Sequence, residues 1–425
     1  MKLQLENSEI SLFEGPFDAE RIFREKLYEL DGGQDEALFV CNLTDVAHKF
    51  VNWCTKMPRV RPFYAVKCND DDNVIRLLAR LGAGFDCASR AEINAVLKHG
   101  VTPDRIIFAN PAKPASHIRH AAATNTRLMT FDSTVELEKI RQIYPDAQKS
   151  FRDSFSSSRL VLRIRYDAKK ALCKLGEKFG CDPKVEAPRL LLHAKNLGLS
   201  VVGVSFHVGS TCMDPPAYGK AIAAARDVFN YADTIGTQMT LLDIGGGFPG
   251  NSGTDFGVFA DIVNVALEEY FPDPSIRVIA EPGAYFVASA CTIGVTVHSK
   301  TEILDEDGTI QQVKYYINDG IYGCFCDVAY GRDVGIPKIL SQRQTSTEDS
   351  EIPENLLKCS IWGESCDGID KICNNLLLPN INLGDILLFP NMGAYSIVLA
   401  CNFNGFPIAN VLHYADHETL KILNG

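Results

Sequence analysis

The sequence predicts an α/β protein: a (β/α)8, TIM-like barrel with a second, all-β domain built as a β-sandwich. Three observations predict it. Short β-rich apolar runs alternate with longer stretches of helical periodicity over the first two-thirds of the 425 residues. The runs number eight, as a closed barrel of roughly 250 residues requires. Beyond the eighth, the pattern changes to β runs separated by turns.

The runs expected as barrel strands are Arg61–Val66, Ala83–Asp86, Ile106–Ala109, Leu128–Phe131, Leu160–Arg165, Val201–Phe206, Leu241–Ile244 and Val278–Ala280. Amphipathic stretches lie between them, among them Arg90–Lys98, Pro188–Leu197, Tyr218–Ile235 and Val258–Tyr270. The later β runs are Thr292–His298, Val313–Ile317, Cys359–Trp362, Ile386–Phe389 and Ile397–Ala400, with the acidic, Ser/Thr-rich Gln342–Glu354 expected as an exposed loop. A further run, Ala37–Val40, joins the N-terminal segment to them. The expected domains are residues 1–40 as a segment of the β-domain, 41–288 as the barrel and 289–425 as the β-domain.

A net charge of -11 argues against a nucleic-acid surface, which needs clustered Lys and Arg. No apolar run reaches the roughly 18 residues of a membrane span. The start MKLQLENSEI lacks a basic region followed by an apolar stretch, so no secretory signal is expected and the location is read as cytoplasmic. Fourteen cysteines are scattered singly, with only Cys324 and Cys326 close together and no C-x-x-C pair. All but Cys366 are read as reduced, buried thiols, and no metal site is expected.

Chemistry in such a barrel sits where strands exit at their C-terminal ends. Lys67 closes the first run, in Phe63-Tyr-Ala-Val-Lys67. It is either a lysine escaping to solvent or an amine placed for an aldehyde cofactor. Gly245, Gly246 and Gly247 follow the seventh run; they form either a tight turn or a backbone nest for a phosphate. Glu281, in Ala280-Glu281-Pro-Gly283, is a structural salt-bridge partner or the carboxylate for a protonated ring nitrogen. His207 is a core histidine or a surface against which a flat ring stacks. One cofactor with an aldehyde, a basic ring nitrogen and a phosphate accounts for all four.

The motifs Tyr64-Ala-Val-Lys67-Cys, Phe85-Asp-Cys-Ala-Ser89, Phe206-His-Val-Gly-Ser210, Asp243-Ile-Gly-Gly-Gly-Phe-Pro-Gly250, Trp362-Gly-x-x-Cys-Asp-Gly-x-Asp370 and Asn391-Met-Gly-Ala-Tyr395 resemble the eukaryotic ornithine decarboxylases, which are fold-type III pyridoxal-phosphate enzymes. The resemblance runs over nearly the whole chain. It implies an alanine racemase-like barrel plus β-domain and a homodimer with active sites shared across its interface. Lys67 would carry pyridoxal 5'-phosphate covalently, Glu281 would hold its ring nitrogen and His207 would stack on the ring. Asp86 and Arg163 would support the site, while Ser210, Gly247, Gly283 and Tyr395 would bind the phosphate. Cys366 and Asp367 would come from the partner subunit, Cys366 to return a proton and Asp367 to hold the distal ammonium of a diamino acid.

Two positions depart from the family pattern. The family reads Glu-Pro-Gly-Arg where this chain has Glu281-Pro-Gly-Ala284, which removes a charged phosphate contact. It places a Tyr-Asp pair where this chain has Tyr330-Gly331, which removes a carboxylate from the substrate's distal amine; Asp333 could substitute only if the loop shifts. These losses open alternatives to L-ornithine decarboxylation: a decarboxylase preferring lysine or arginine, or a regulatory relative like the antizyme inhibitors. The latter would bind antizyme, a further candidate partner, through a helical surface around Lys113–Lys139. Vertebrate members carry a degradation-promoting tail beyond the β-domain, and this chain stops at Gly425, so rapid antizyme-driven turnover is less expected.

Overall fold

The computed structural model describes residues 2–5, 8–29, 36–144, 158–341 and 356–425; the expected loop Gln342–Glu354 lies outside them. Contacts divide the chain into two units. One joins the described residues up to Asp45 with Val287–Lys421, and the other joins Val46–Phe286 with Ile422–Gly425.

In the second unit eight parallel strands close into a barrel: Val60–Ala65, Gly84–Cys87, Ile106–Phe108, Leu128–Phe131, Arg159–Arg165, Val201–His207, Leu241–Asp243 and Arg277–Ala280. Every end lies within one residue of the expected run. The runs are legible because barrel strands bury both faces and read as continuous apolar segments. Phe63, Ile107, Leu128, Val161, Leu241 and Ile279 fill the barrel as one buried cluster. Emptying it, as Phe63→Ala would, costs about 3–5 kcal/mol.

The outer helices have chemical starts and stops. Asp71 accepts the N–H groups of Asn73 and Val74 to begin Asp72–Leu81, and Gly82, left-handed at φ 94°, ends it. Ser89 caps Arg90–Leu97 by accepting the Glu92 N–H, and the Glu92 carboxylate reaches back to the Ala88 N–H at 2.6 Å. Glu186–Asn196, Pro216–Thr234 and Phe256–Tyr270 stand where helical periodicity was read.

The first unit is a mixed sheet of ten strands among the described residues. Leu38–Asn42 pairs in parallel with Asn410–Ala415 and antiparallel with Cys291–Leu304, the long strand at the sheet's centre. The helix Ala19–Glu29 covers one face, burying Ile22 and Phe23 against Leu38, Val40, Ile386 and Leu388. One expected strand is corrected: Ile397–Leu399 is a 3-10 turn, closed by Leu399 N–H to the Ser396 carbonyl and Ala400 N–H to that of Ile397. An isolated short apolar run carries no periodicity to separate strand from turn. All fourteen cysteines are free, but the expected burial is corrected at Cys54, Cys173 and Cys401, which are exposed; no described helix is long and apolar enough to cross a membrane.

Candidate active site

The reactive side chains of the barrel gather at its C-terminal end. Lys67 stands on the 3-10 turn Val66–Cys68 that leaves the first strand, and its ammonium pairs with the carboxylate of Asp86. Ala65 and Asp86 are opposite each other in the register of strands one and two, so neighbouring strand ends dictate that pairing. Asp86 is fully buried, and its Oδ1 has no partner.

His207 ends the sixth strand. Its Nδ1 accepts the Gly209 N–H at 3.1 Å, which leaves the ring proton of the neutral imidazole on Nε2. That edge faces Gly246, where a Cβ would stand only 3.0 Å from Nε2. Burial, then the charges of Arg163 and Lys67, hold the imidazole well below the usual histidine range. Arg163, from strand five, has its guanidinium 5.1 Å from the Phe179 ring centroid.

Asp243 ends strand seven and Glu281 follows strand eight. The Asp243 Oδ1 accepts the Gly245 N–H at 2.9 Å, and the Glu281 N–H donates to the Gly245 carbonyl at 2.7 Å. Burial pushes the Asp243 carboxyl up to about 7. Burial, then the Asp243 and Asp86 carboxylates, pushes Glu281 well above the usual range. The pair therefore retains a proton at neutral pH, and Glu281 Oε1 is buried without a partner.

The glycine turn has steric reasons. Gly247 is left-handed at φ 95°, and a Cβ there would run into the Gly209 carbonyl. Its own carbonyl accepts the Cys212 N–H at 2.8 Å, tying the turn to the ribbon of Ser210–Cys212 with Ala171–Cys173. A Cβ on Gly283 would stand 2.7 Å from that of Cys68, beside Lys67.

Cys366, Asp367, Tyr330 and Tyr395 lie in the other unit. Cys366 is exposed, and its N–H donates to Asn404 Oδ1 at 3.0 Å. The Tyr322 hydroxyl donates to Asp367 Oδ2 at 2.5 Å and holds that carboxyl below the usual range. Tyr330 is 73% exposed at the end of the 3-10 turn Cys326–Tyr330, and Gly331 caps that turn at φ 94°. Asp333 accepts the Gly335 N–H at 2.9 Å within its own turn. At the start of the helical surface expected around Lys113–Lys139, Lys113 itself is buried, with Nζ donating to Glu136 Oε1 at 2.9 Å and to the Thr130 carbonyl at 2.6 Å, while Val135 on the following helix is exposed.

Residues 43–288 match the family described as pyridoxal-dependent decarboxylase, pyridoxal binding domain. The chain belongs to that family. It is 46% identical to ornithine decarboxylase 2 of Drosophila melanogaster over 88% of this chain and 90% of that protein. It is 44% identical to antizyme inhibitor 2 of Xenopus laevis over 98% of this chain and 89% of that protein. The arginine decarboxylase of Paramecium bursaria Chlorella virus, solved bound to agmatine, superposes with a TM-score of 0.83 at 33% identity, over 93% of this chain and 99% of that one. The cofactor of this decarboxylase is pyridoxal phosphate. The barrel fits it, with an amine at Lys67, an unpartnered carboxylate oxygen at Glu281 and a glycine turn that a single Cβ would fill.

Sequence reasoning gave Asp243 no role, although an acid closing an otherwise apolar strand was a signal. Tyr322, two residues after Gly320, carried none, while Asp370 closes one of the family motifs without a role assigned to it; it is buried and accepts the Ser365 hydroxyl at 2.6 Å.

Proposed function

We propose that this chain decarboxylates L-ornithine to putrescine and carbon dioxide, in the cytoplasm, as a homodimer whose active sites are completed across the subunit interface. Pyridoxal phosphate supplies, when bound, the electron sink that lets the bond from Cα to the carboxylate break. The amine of Lys67 is the attachment point, and Asp86 keeps it at the strand exit until the aldehyde arrives. Glu281, sharing a proton with Asp243, would hold the ring nitrogen with its unpartnered oxygen. The neutral ring of His207 stands beside the glycine turn and adds no positive charge there. Gly245–Gly247, Ser210, Gly283 and Tyr395 would receive the phosphate. The Cys366 thiol of the partner subunit returns a proton to Cα. The partner's Asp367, kept ionised by its tyrosine, holds the distal ammonium.

The observation carrying this reading is the convergence of Lys67, Asp86, His207 and Glu281 at one end of the barrel, with two buried carboxylate oxygens left for a ligand. The test is carbon dioxide release from ornithine, lysine and arginine at graded pyridoxal phosphate. Ornithine should be turned over fastest, and Lys67→Ala should abolish both turnover and the visible absorbance of the bound cofactor. A second reading, a regulatory relative without turnover, is favoured by Ala284 and by the left-handed Gly331 in place of a carboxylate. It predicts no release from any of the three amino acids at saturating cofactor.

A further inference from the structure

The segment Asn391–Ser396 holds an unusual backbone. Asn391 at φ 60° and Tyr395 at φ 52° both occupy the left-handed region without being glycine. Such residues persist only where the surroundings over-determine them. The N–H side of the turn is fixed by main chain: Met392 donates to the Cys291 carbonyl at 2.9 Å and Gly393 to that of Ala288 at 3.1 Å.

On the carbonyl side the Ser396 hydroxyl donates to the Ala394 carbonyl at 3.3 Å, and one side chain reaches both ends of the turn. Arg332 Nη2 donates to the Asn391 carbonyl, and Nη1 donates to the Ala394 carbonyl at 3.1 Å. The same Nη1 pairs with Asp327 Oδ2 at 2.6 Å. Side-chain exposures of 13% and 12% put the Arg332–Asp327 pair largely out of water, where the planar fork loses little freedom per bond. The guanidinium therefore spans the turn from its first residue to the residue before Tyr395. A lysine could reach only one of those carbonyls at a time.

We propose that Arg332 is a positioning residue for Tyr395, with Asp327 as the counter-charge that aims it. The inference rests on the reading that Tyr395 contacts the cofactor phosphate. Arg332 touches neither cofactor nor substrate in this account; it sets the backbone from which the tyrosine hydroxyl is presented.

The test is cofactor titration of the full-length protein, followed by the absorbance of bound pyridoxal phosphate, for wild type, Arg332→Met, Arg332→Lys, Asp327→Asn, Tyr395→Phe and the double variant Arg332→Met/Tyr395→Phe. Arg332→Met should weaken cofactor binding at least tenfold, Arg332→Lys and Asp327→Asn by less, and saturating cofactor should leave the KM for ornithine unchanged. The double variant should bind no more weakly than Tyr395→Phe alone, because both lesions act through one hydroxyl. Losses that multiply, or unaltered affinity in Arg332→Met beside a weakened Tyr395→Phe, would overturn the positioning role. If Tyr395→Phe itself binds the cofactor normally, the phosphate role of the tyrosine fails instead, and the inference falls with it. Should Arg332→Met not fold, Arg332→Lys decides: affinity equal to wild type overturns the proposal, and an intermediate loss that Tyr395→Phe makes silent supports it.

Discussion

A carboxylate out of reach of water either finds a cation or keeps its proton, and the end of the barrel uses both solutions. Asp86 takes the ammonium of Lys67, while Asp243 and Glu281 keep a proton between them. The sign of the second solution is testable. A carboxyl raised from 3.8 to about 7 binds more protons folded than unfolded across that window. Its contribution to stability is thus fully present below about 4 and is lost as the pH rises through about 7. Asp243→Asn should gain stability relative to wild type as the pH of cofactor-free protein is raised from 4.5 to 7.5. Denaturant unfolding at each pH measures this; a constant difference would mean that the proton is not held there. Ala284 is the residue-scale loss. Because its side chain is partly exposed, Ala284→Arg has room, and one charge-assisted contact is worth about 1.5–3 kcal/mol. The cofactor concentration at half-saturation should fall roughly 10- to 150-fold, read by titration.

At the scale of elements, the glycine turn after strand seven binds three pieces of chain: the Glu281 N–H, the Cys212 N–H and the Gly209 carbonyl all close on it. Gly247→Ala should therefore cost about 1–3 kcal/mol of stability for the left-handed backbone alone. It should also weaken cofactor binding, because the clash is with main chain that cannot rotate away. Thermal unfolding with and without pyridoxal phosphate separates the two effects. The same element explains what could be read in advance. Barrel strands were legible because Leu241-Leu242 or Val278-Ile279 are buried on both faces, and the acids and glycines ending them stand out against that background. The β-domain strands were less so. Lys371–Leu378 alternates buried Ile372 with exposed Asn374 and Asn375, and Asn410–Ala415 has His413 buried in its middle. Those strands are specified by their partners across the sheet rather than by their own composition. The Arg332 clamp on Asn391 and Ala394 was invisible for a related reason: sixty residues separate groups that only the fold brings together.

At the scale of the whole molecule, the amine expected to hold the cofactor and the thiol expected to return the proton belong to different compact units of the chain. Whether a working site draws them from one chain or from two is decided by complementation. Lys67→Ala and Cys366→Ala should each be nearly inactive alone. In a shared-site dimer, a hybrid of the two variants carries both lesions in one site and neither in the other. Random reassociation of equal amounts makes half the dimers hybrid, each with one intact site of two, so activity should return to about a quarter of wild type. If each chain built its own site, every chain in the mixture would keep its lesion and no activity would return, however freely subunits exchanged. Exchange can be verified independently with differently tagged chains, so silence in a mixture proven to contain hybrids would place lysine and thiol in the same subunit and remove the interface from the mechanism.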